Sequence, residues 1–312
     1  MPPTTPPTLT LYLTGASSTG KSTLLQLLLP LLLSTLPAST GISESESFPI
    51  TLHPISQDDF FLPEPLLPPV LPPHTDPQNP TEKNWDAPES LDWPRYLHTL
   101  HTLKTEGRLP DGHVSYEVTP PPLVVPEATL AALREKMRAR VAGVLPRLEK
   151  EGLRIVLVDG FLLLPPPGYV PDPIEDAEVR KVAGLDEGWR PAPVPGLEKV
   201  WDRVLFLQAD YRDIKKRRES RPGYATVEGW WKDPEGYFER VVWPGYVKSH
   251  GWLYKSRGQG AEEGLGELDE EVLREWGIKQ AESEWGMEKI LEWAVGEIGD
   301  LIVEKMGDGQ ES

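Results

Sequence analysis

Cysteine is absent from the 312 residues, so no disulfide and no thiolate-held metal centre can form. A chain without cysteine fits a reducing compartment. Positive charge is scarce: 32 Lys and Arg stand against 49 Asp and Glu, a formal net charge of −17. Nucleic acid is a polyanion that needs a basic footprint, so general nucleic-acid binding is not expected. An acidic surface suits a neutral or cationic small ligand better than an anionic one. Histidines number six, and no Cys-Cys-His or His-Glu-x-x-His cluster suggests a bound zinc. No basic segment leads into an apolar core at the start, where Pro2, Pro3, Pro6 and Pro7 crowd. The greasiest run, Leu24 to Leu36, is too short for a bilayer and is interrupted by Gln26, Pro30 and Ser34. These absences lead to the expectation of a soluble cytoplasmic protein, with nuclear access open, that binds neither membrane nor nucleic acid.

Proline, in contrast, is plentiful and clustered, with 35 in all. Residues 63–80 hold eight of them and cannot be a regular element. The P-x-x-P spacings Pro65/Pro68 and Pro69/Pro72 suit an SH3-type partner, although a plain proline-rich loop is the simpler reading. Between such segments the pattern is periodic. Strands are expected at Leu9–Leu13, Thr51–Ser56, Ile155–Val158 and Val204–Leu207. Helices are expected over 23–36, from an Asp86 N-cap with Glu89 as its capping-box partner, over 126–151, over 210–221 capped by Asp210, and over 285–305. Residues 1–8 read as a disordered tail. Strands alternating with helices predict an α/β fold with a parallel sheet flanked by helices, and ligands in such folds bind beyond the C-terminal strand ends.

One motif stands at such an end. Gly15-Ala16-Ser17-Ser18-Thr19-Gly20-Lys21-Ser22 fits G-x-x-x-x-G-K-[ST], between the first strand and the first helix. Its glycines let the backbone wrap an anion, its N–H groups face the phosphates, Lys21 adds charge at the β/γ-phosphates and Ser22 is placed to ligate Mg²⁺. Gly15, Ser17, Ser18, Thr19, Gly20, Lys21, Ser22 and Thr23 are the expected nucleotide-binding set.

Phosphoryl transfer also needs a carboxylate at the attacking hydroxyl and positive charge on the moving group. Asp58 follows the second strand and is the first candidate, with Asp59 equally eligible by spacing. Asp159 ends an apolar strand, the pattern of a residue that holds the metal. Lys215 to Arg221 is the dense basic run in an acidic chain, and on a helix Arg217 and Arg221 share a face with Arg218 beside them. Such a helix, moving over the phosphates, would neutralise transition-state charge; a solvated basic face is the simpler alternative. No Asn-Lys-x-Asp follows the loop, which argues against a GTPase.

Taken in order, the phosphate loop, Ser56-Gln57-Asp58-Asp59-Phe60-Phe61, Asn84-Trp85-Asp86, Val158-Asp159-Gly160-Phe161, the basic run and Asp233-Pro234-Glu235-Gly236-Tyr237-Phe238 through Val242-Trp243-Pro244 carry a resemblance. The chain resembles the nicotinamide riboside kinases, within the uridine kinase and phosphoribulokinase group of P-loop kinases. The resemblance implies ATP and Mg²⁺, and a small nucleoside phosphorylated on its 5′-hydroxyl. It gives Asp58 the role of proton acceptor and metal contact, gives Ser22 the metal, and has Asp159 assist both the metal and the substrate; Asp159 stands where relatives usually have Glu. Trp85 would stack on the base, Asp86 would bind the ribose, Arg217 and Arg221 would contact ATP, and Arg218 would act on the substrate side. Tyr224 lies near the place of a second stacking aromatic. A cationic pyridinium ring suits an electron-rich face such as Trp85. The alternatives are a uridine/cytidine-type kinase, which would need partners for the base edge, and a nucleotide-binding adaptor without turnover. One kinase domain over 9–308 is expected, with insertions near 63–80, 107–125, 165–200 and 255–280.

Overall fold

The structure, a computed structural model, describes residues 6–36, 50–115, 123–169, 200–226, 229–261 and 264–307. Among these, strands β1 (Thr8–Gly15), β2 (Ile50–Ser56), β3 (Leu153–Gly160), β4 (Arg203–Leu207) and β7 (Ile278–Gln280) form one sheet in the order β2-β3-β1-β4-β7. Every neighbouring pair in it is parallel. A short antiparallel hairpin, β5 (Tyr224–Thr226) and β6 (Gly229–Trp231), stands apart. The expected α/β fold is therefore present.

Alternation along the strands divides the apolar side chains between two faces. Leu9, Leu11, Leu13, Ile155, Leu157 and Leu205 pack with the leucines of α1 (Lys21–Thr35), with α3 (Glu127–Val141), and with α8 (Met287–Gly307). Tyr12, Val156, Val158, Val204 and Phe206 face the other way, into a cluster with α2 (Trp93–Glu106), Ile214 of α5 (Tyr211–Glu219) and α6 (Trp243–His250). A strand covered on both faces has no polar side, which is why β3 is buried along its whole length.

Several boundaries differ from expectation. The chain is already ordered at Pro7, whose carbonyl accepts the Arg154 N–H at 2.9 Å. The 126–151 stretch is two helices, α3 and α4 (Leu145–Glu151), because Gly143 weakens the helix and Pro146 fits the first turn of a new one. Asp86 caps no helix. Residues 88–90 form a single 3₁₀ turn, and α2 starts at Trp93 with Asp92 accepting the Arg95 N–H at 3.1 Å. Pro68 and Pro69, one from each P-x-x-P pair, are buried, which leaves neither pair with both prolines on the surface. Most of the 165–200 segment, and residues 116–122 of another expected insertion, lie outside the described residues.

The register fixes the site. Asp159 stands opposite Leu13 on one side and Ser56 on the other, and Gly15 opposite Leu207. The ends of β1, β2 and β3 thus finish level, and the three segments that follow meet. Gly15 has φ 140°, and a Cβ there would lie 2.1 Å from the Leu207 carbonyl oxygen. Gly15→Ala is expected to cost on the order of 3 kcal/mol through strain and overpacking, read as a lower urea midpoint with an unchanged m-value.

Candidate active site

The loop after β1 curls back on itself. Thr19 Oγ1 donates to the Ala16 carbonyl at 2.9 Å, and Lys21 Nζ donates to the carbonyls of Gly15 and Ala16 at 3.1 and 2.8 Å. Gly20 and Ser18 adopt positive φ, 101° and 66°. Helix α1 then begins with no side-chain cap and no acidic residue in its first turn. Its leading N–H groups and the positive end of its dipole are left for an anion. Burial brings the Lys21 ammonium down to about 8, against the opposing pull of Asp159 and Asp58.

Two carboxylates face this loop. Ser22 Oγ donates to Asp159 Oδ2 at 2.8 Å. Burial pushes Asp159 above the ordinary carboxylate range, and the bond from Ser22 opposes that rise. Asp58 rides on a one-turn 3₁₀ helix, Gln57–Phe60, that follows β2, with its N–H held by Ser56 Oγ at 3.3 Å. Its carboxylate opens to the solvent of the cleft, but protein walls surround it and desolvate it. Desolvation first and the Asp159 charge second raise it to about 6, while Lys21 draws it down. Oxygen donors from Ser22, Asp159 and Asp58 form a hard-cation set. Among the described residues no group of three or more His, Cys, Asp and Glu forms a metal cage.

Opposite the loop, α5 carries Arg217 and Arg218 but ends at Glu219, so Arg221 lies just beyond the helix that was expected to run to it. Arg218 is buried and fully engaged: its Nη1 and Nη2 donate to Asp86 Oδ1 and Oδ2 at 3.0 and 3.1 Å, and its Nε donates to Asp233 Oδ2 at 2.6 Å. Asp86, which sequence reading placed at a helix start, instead neutralises this guanidinium. Burial raises Asp86, and Arg218 opposes the rise. Arg218 and Arg221 both lie over the Tyr224 ring, 5.0 and 5.3 Å from its centroid. Arg217 is half exposed, with Nη1 3.5 Å from the Ser18 carbonyl.

Together these groups enclose a cavity of about 120 Å³ lined by Ser17, Ser18, Gly20 through Thr23, Asp58, Trp85, Asp86, Asp159, Arg218, Arg221 and Tyr224. Of the expected residues, Gly15, Thr19 and Arg217 stand outside this lining. Thr19 lines a second cavity behind the loop. Three aromatic walls were not anticipated: Phe61, Phe161 and Trp231. Phe61 meets Trp85 edge-on at 5.4 Å between centroids, and Trp231 lies tilted against Trp85 at 5.8 Å. Trp231 Nε1 donates to Asp233 Oδ1 at 3.0 Å, so the arginine network also positions this ring. The available signal was local: two adjacent tryptophans two residues before an aspartate.

Among the described residues no helix is long and apolar enough to cross a membrane. Comparison with known proteins gives a consistent picture. No family model matches the chain. It is 31% identical to a nicotinamide riboside kinase of Schizosaccharomyces pombe over 250 residues, covering 79% of the chain and 81% of that protein. It is 29% identical to a nicotinamide riboside kinase of Eremothecium gossypii over 55% of the chain and 57% of that protein. A nicotinamide riboside kinase of Saccharomyces cerevisiae is 24% identical over 55% of the chain and 58% of its own length.

Proposed function

The chain belongs to the nicotinamide riboside kinase family, and from that premise we propose that it transfers the γ-phosphoryl group of ATP to the 5′-hydroxyl of nicotinamide riboside, giving nicotinamide mononucleotide for NAD salvage. The observation that carries this reading is a single cleft joining a phosphate loop, a carboxylate and a nest of aromatic rings. The loop and the start of α1 would hold the triphosphate, with Lys21 on its terminal phosphates. Ser22, Asp159 and Asp58 would hold Mg²⁺, which when bound shields the phosphate charge. Asp58 would accept the proton of the 5′-hydroxyl as its oxygen attacks phosphorus in line, with no covalent enzyme intermediate. A carboxylate raised to about 6 is ionised at neutral pH yet is more basic than an ordinary aspartate, which suits that task. Arg221 and Arg217 would face the phosphates. Asp86, fixed by Arg218, would receive the ribose hydroxyls, and Trp85 with Trp231 would hold the cationic ring by its faces.

A coupled ADP-release assay over nicotinamide riboside, nicotinic acid riboside, uridine and cytidine tests the reading, with Asp58→Ala as control. Nicotinamide riboside should turn over fastest of the three amide- or pyrimidine-bearing nucleosides. Faster turnover of uridine would replace this reading with a pyrimidine nucleoside kinase, and ATP binding without turnover of any nucleoside would make the chain an adaptor. Trp231→Ala should raise KM for nicotinamide riboside about tenfold, the worth of one desolvated cation–π face, with KM for ATP within about twofold.

A further inference from the structure

We propose that Asp59 and His113 form a positioning device for Asp58, contributed by a loop that the phosphate-binding core does not require; this rests on Asp58 being the proton acceptor. On the turn Gln57–Phe60, three of the four residues are buried and Asp58 alone opens to the cleft. Each buried neighbour is anchored elsewhere. Gln57 Oε1 accepts the N–H groups of Phe161 and Leu162 at 3.0 and 2.9 Å, tying the turn to the end of β3. The Asp59 carbonyl accepts Arg95 Nη2 at 2.7 Å, and the same guanidinium lies 5.1 Å over the Phe60 ring. The third anchor comes from the 107–115 segment. His113 Nε2 lies 3.6 Å from Asp59 Oδ2, both side chains being almost fully buried, and Ser115 Oγ donates to Asp59 Oδ1 at 2.9 Å. The His113 ring also packs against Phe60, 5.7 Å between centroids.

None of Asp59, His113 and Ser115 lines the cleft, so His113 and Ser115 act on the reaction through the backbone of the turn, while Asp59 adds the repulsion of its charge on Asp58. Energetics separates this role from plain structural support. Burying a carboxylate beside an imidazole carries a desolvation cost that an apolar pair of the same volume avoids. What the polar contacts add is direction, because the Ser115 hydrogen bond at Oδ1 and the His113 contact at Oδ2 are both met in one orientation of the turn. A proton acceptor needs that fixity, since misplacement by about 1 Å costs on the order of 100-fold in rate.

The test compares His113→Phe, His113→Gln and Asp59→Ala with the parent enzyme, measuring kcat, both KM values and Tm, with kinetics run well below each midpoint. His113→Phe preserves ring packing on Phe60 but removes the polar contact. It and Asp59→Ala should lower kcat at least tenfold, with KM for nicotinamide riboside and for ATP within about twofold. His113→Gln, which can place an N–H where Nε2 stands, should recover most of the lost kcat. Unchanged kcat in folded His113→Phe overturns the proposal, as does a change confined to KM or to Tm, or a Gln variant as slow as the Phe variant. If Asp59→Ala does not fold, the two His113 variants decide the matter. A parent enzyme inactive on nicotinamide riboside overturns the proposed function and this role together; an active parent with an unaffected His113→Phe variant overturns this role alone.

Discussion

Asp58→Asn is expected to lower kcat/KM for nicotinamide riboside about 1000-fold while making the free enzyme slightly more stable at pH 7.5. Under the proposed function, the rate loss follows from removing a positioned proton acceptor, worth on the order of 10²- to 10⁴-fold. The gain in stability follows from linkage. The folded-state value of about 6 lies above the ordinary 3.8, so the folded protein binds a proton more tightly than the unfolded chain does. Ionisation of Asp58 therefore opposes folding. That penalty is fully present above pH 6, shrinks as pH falls through the folded value, and is gone below about pH 4. Asn carries no charge and escapes it. Because solvent reaches the carboxylate, the gain should be only a few degrees in Tm at pH 7.5 and should vanish near pH 4. Thermal melts of both proteins across that range, beside steady-state kinetics, check both halves. A variant that lost activity and also lost stability at pH 7.5 would place Asp58 in the fold rather than in the chemistry.

Arg218→Met should be the most destabilising single change at the site. The guanidinium is 6% exposed and shared between Asp86 and Asp233. Met replaces its length and apolar stem but leaves buried carboxylates with no counter-charge. Breaking a buried ion pair from one side costs about 3–5 kcal/mol. For a chain of this size that is a fall in Tm on the order of 10 °C. The loss should narrow as pH falls from 7.5 towards 5, because orphaned carboxylates take up protons there in the folded state before they do so in the unfolded chain. Adding Asp233→Asn should restore part of the stability, and a double-mutant cycle would show strong coupling. Nicotinamide riboside KM should rise in the single variant, because Asp233 also holds the Trp231 indole. Equal melting temperatures for Arg218→Met and the parent would show that the network contributes nothing to the fold.

What could be read from the chain and what could not separates by distance along it. Strands at Leu9–Leu13, Ile155–Val158 and Val204–Leu207 were legible because burial on both faces leaves a largely apolar run; the edge strand at Thr51–Ser56 is half-buried and carries a weaker signal. Strand β7 was not, since three residues, Ile278–Gln280, carry no period. Lys21, Ser22, Asp58 and Asp159 were legible as motif positions at strand ends, and the structure brings all four into one cleft. The partners of Arg218 were hidden: Asp86 is 132 residues away, and Asp233, although only 15 away, sits beyond a hairpin. The cap assigned to Asp86 failed for the same reason. Asp86 and Glu89 satisfied the local rule for a helix start, but a buried guanidinium has a stronger claim on the carboxylate. Residues 88–90 make only a single 3₁₀ turn before Leu91 bridges Phe61, so Asp92 makes the cap instead. The part played by 107–115 was equally closed to sequence reading, because His113 and Asp59 are linked by folding and not by spacing.

Helix α1 begins with Gly20 and bare N–H groups, without the serine or aspartate that would tie off most helices. A catalyst built this way leaves part of its own framework to be completed by what it consumes. Ligand that binds only the folded form adds stability as its concentration rises, about 2.7 kcal/mol at 100 times Kd. Under the proposed function, bound triphosphate would supply that support, and the melting temperature of the protein should rise with triphosphate concentration.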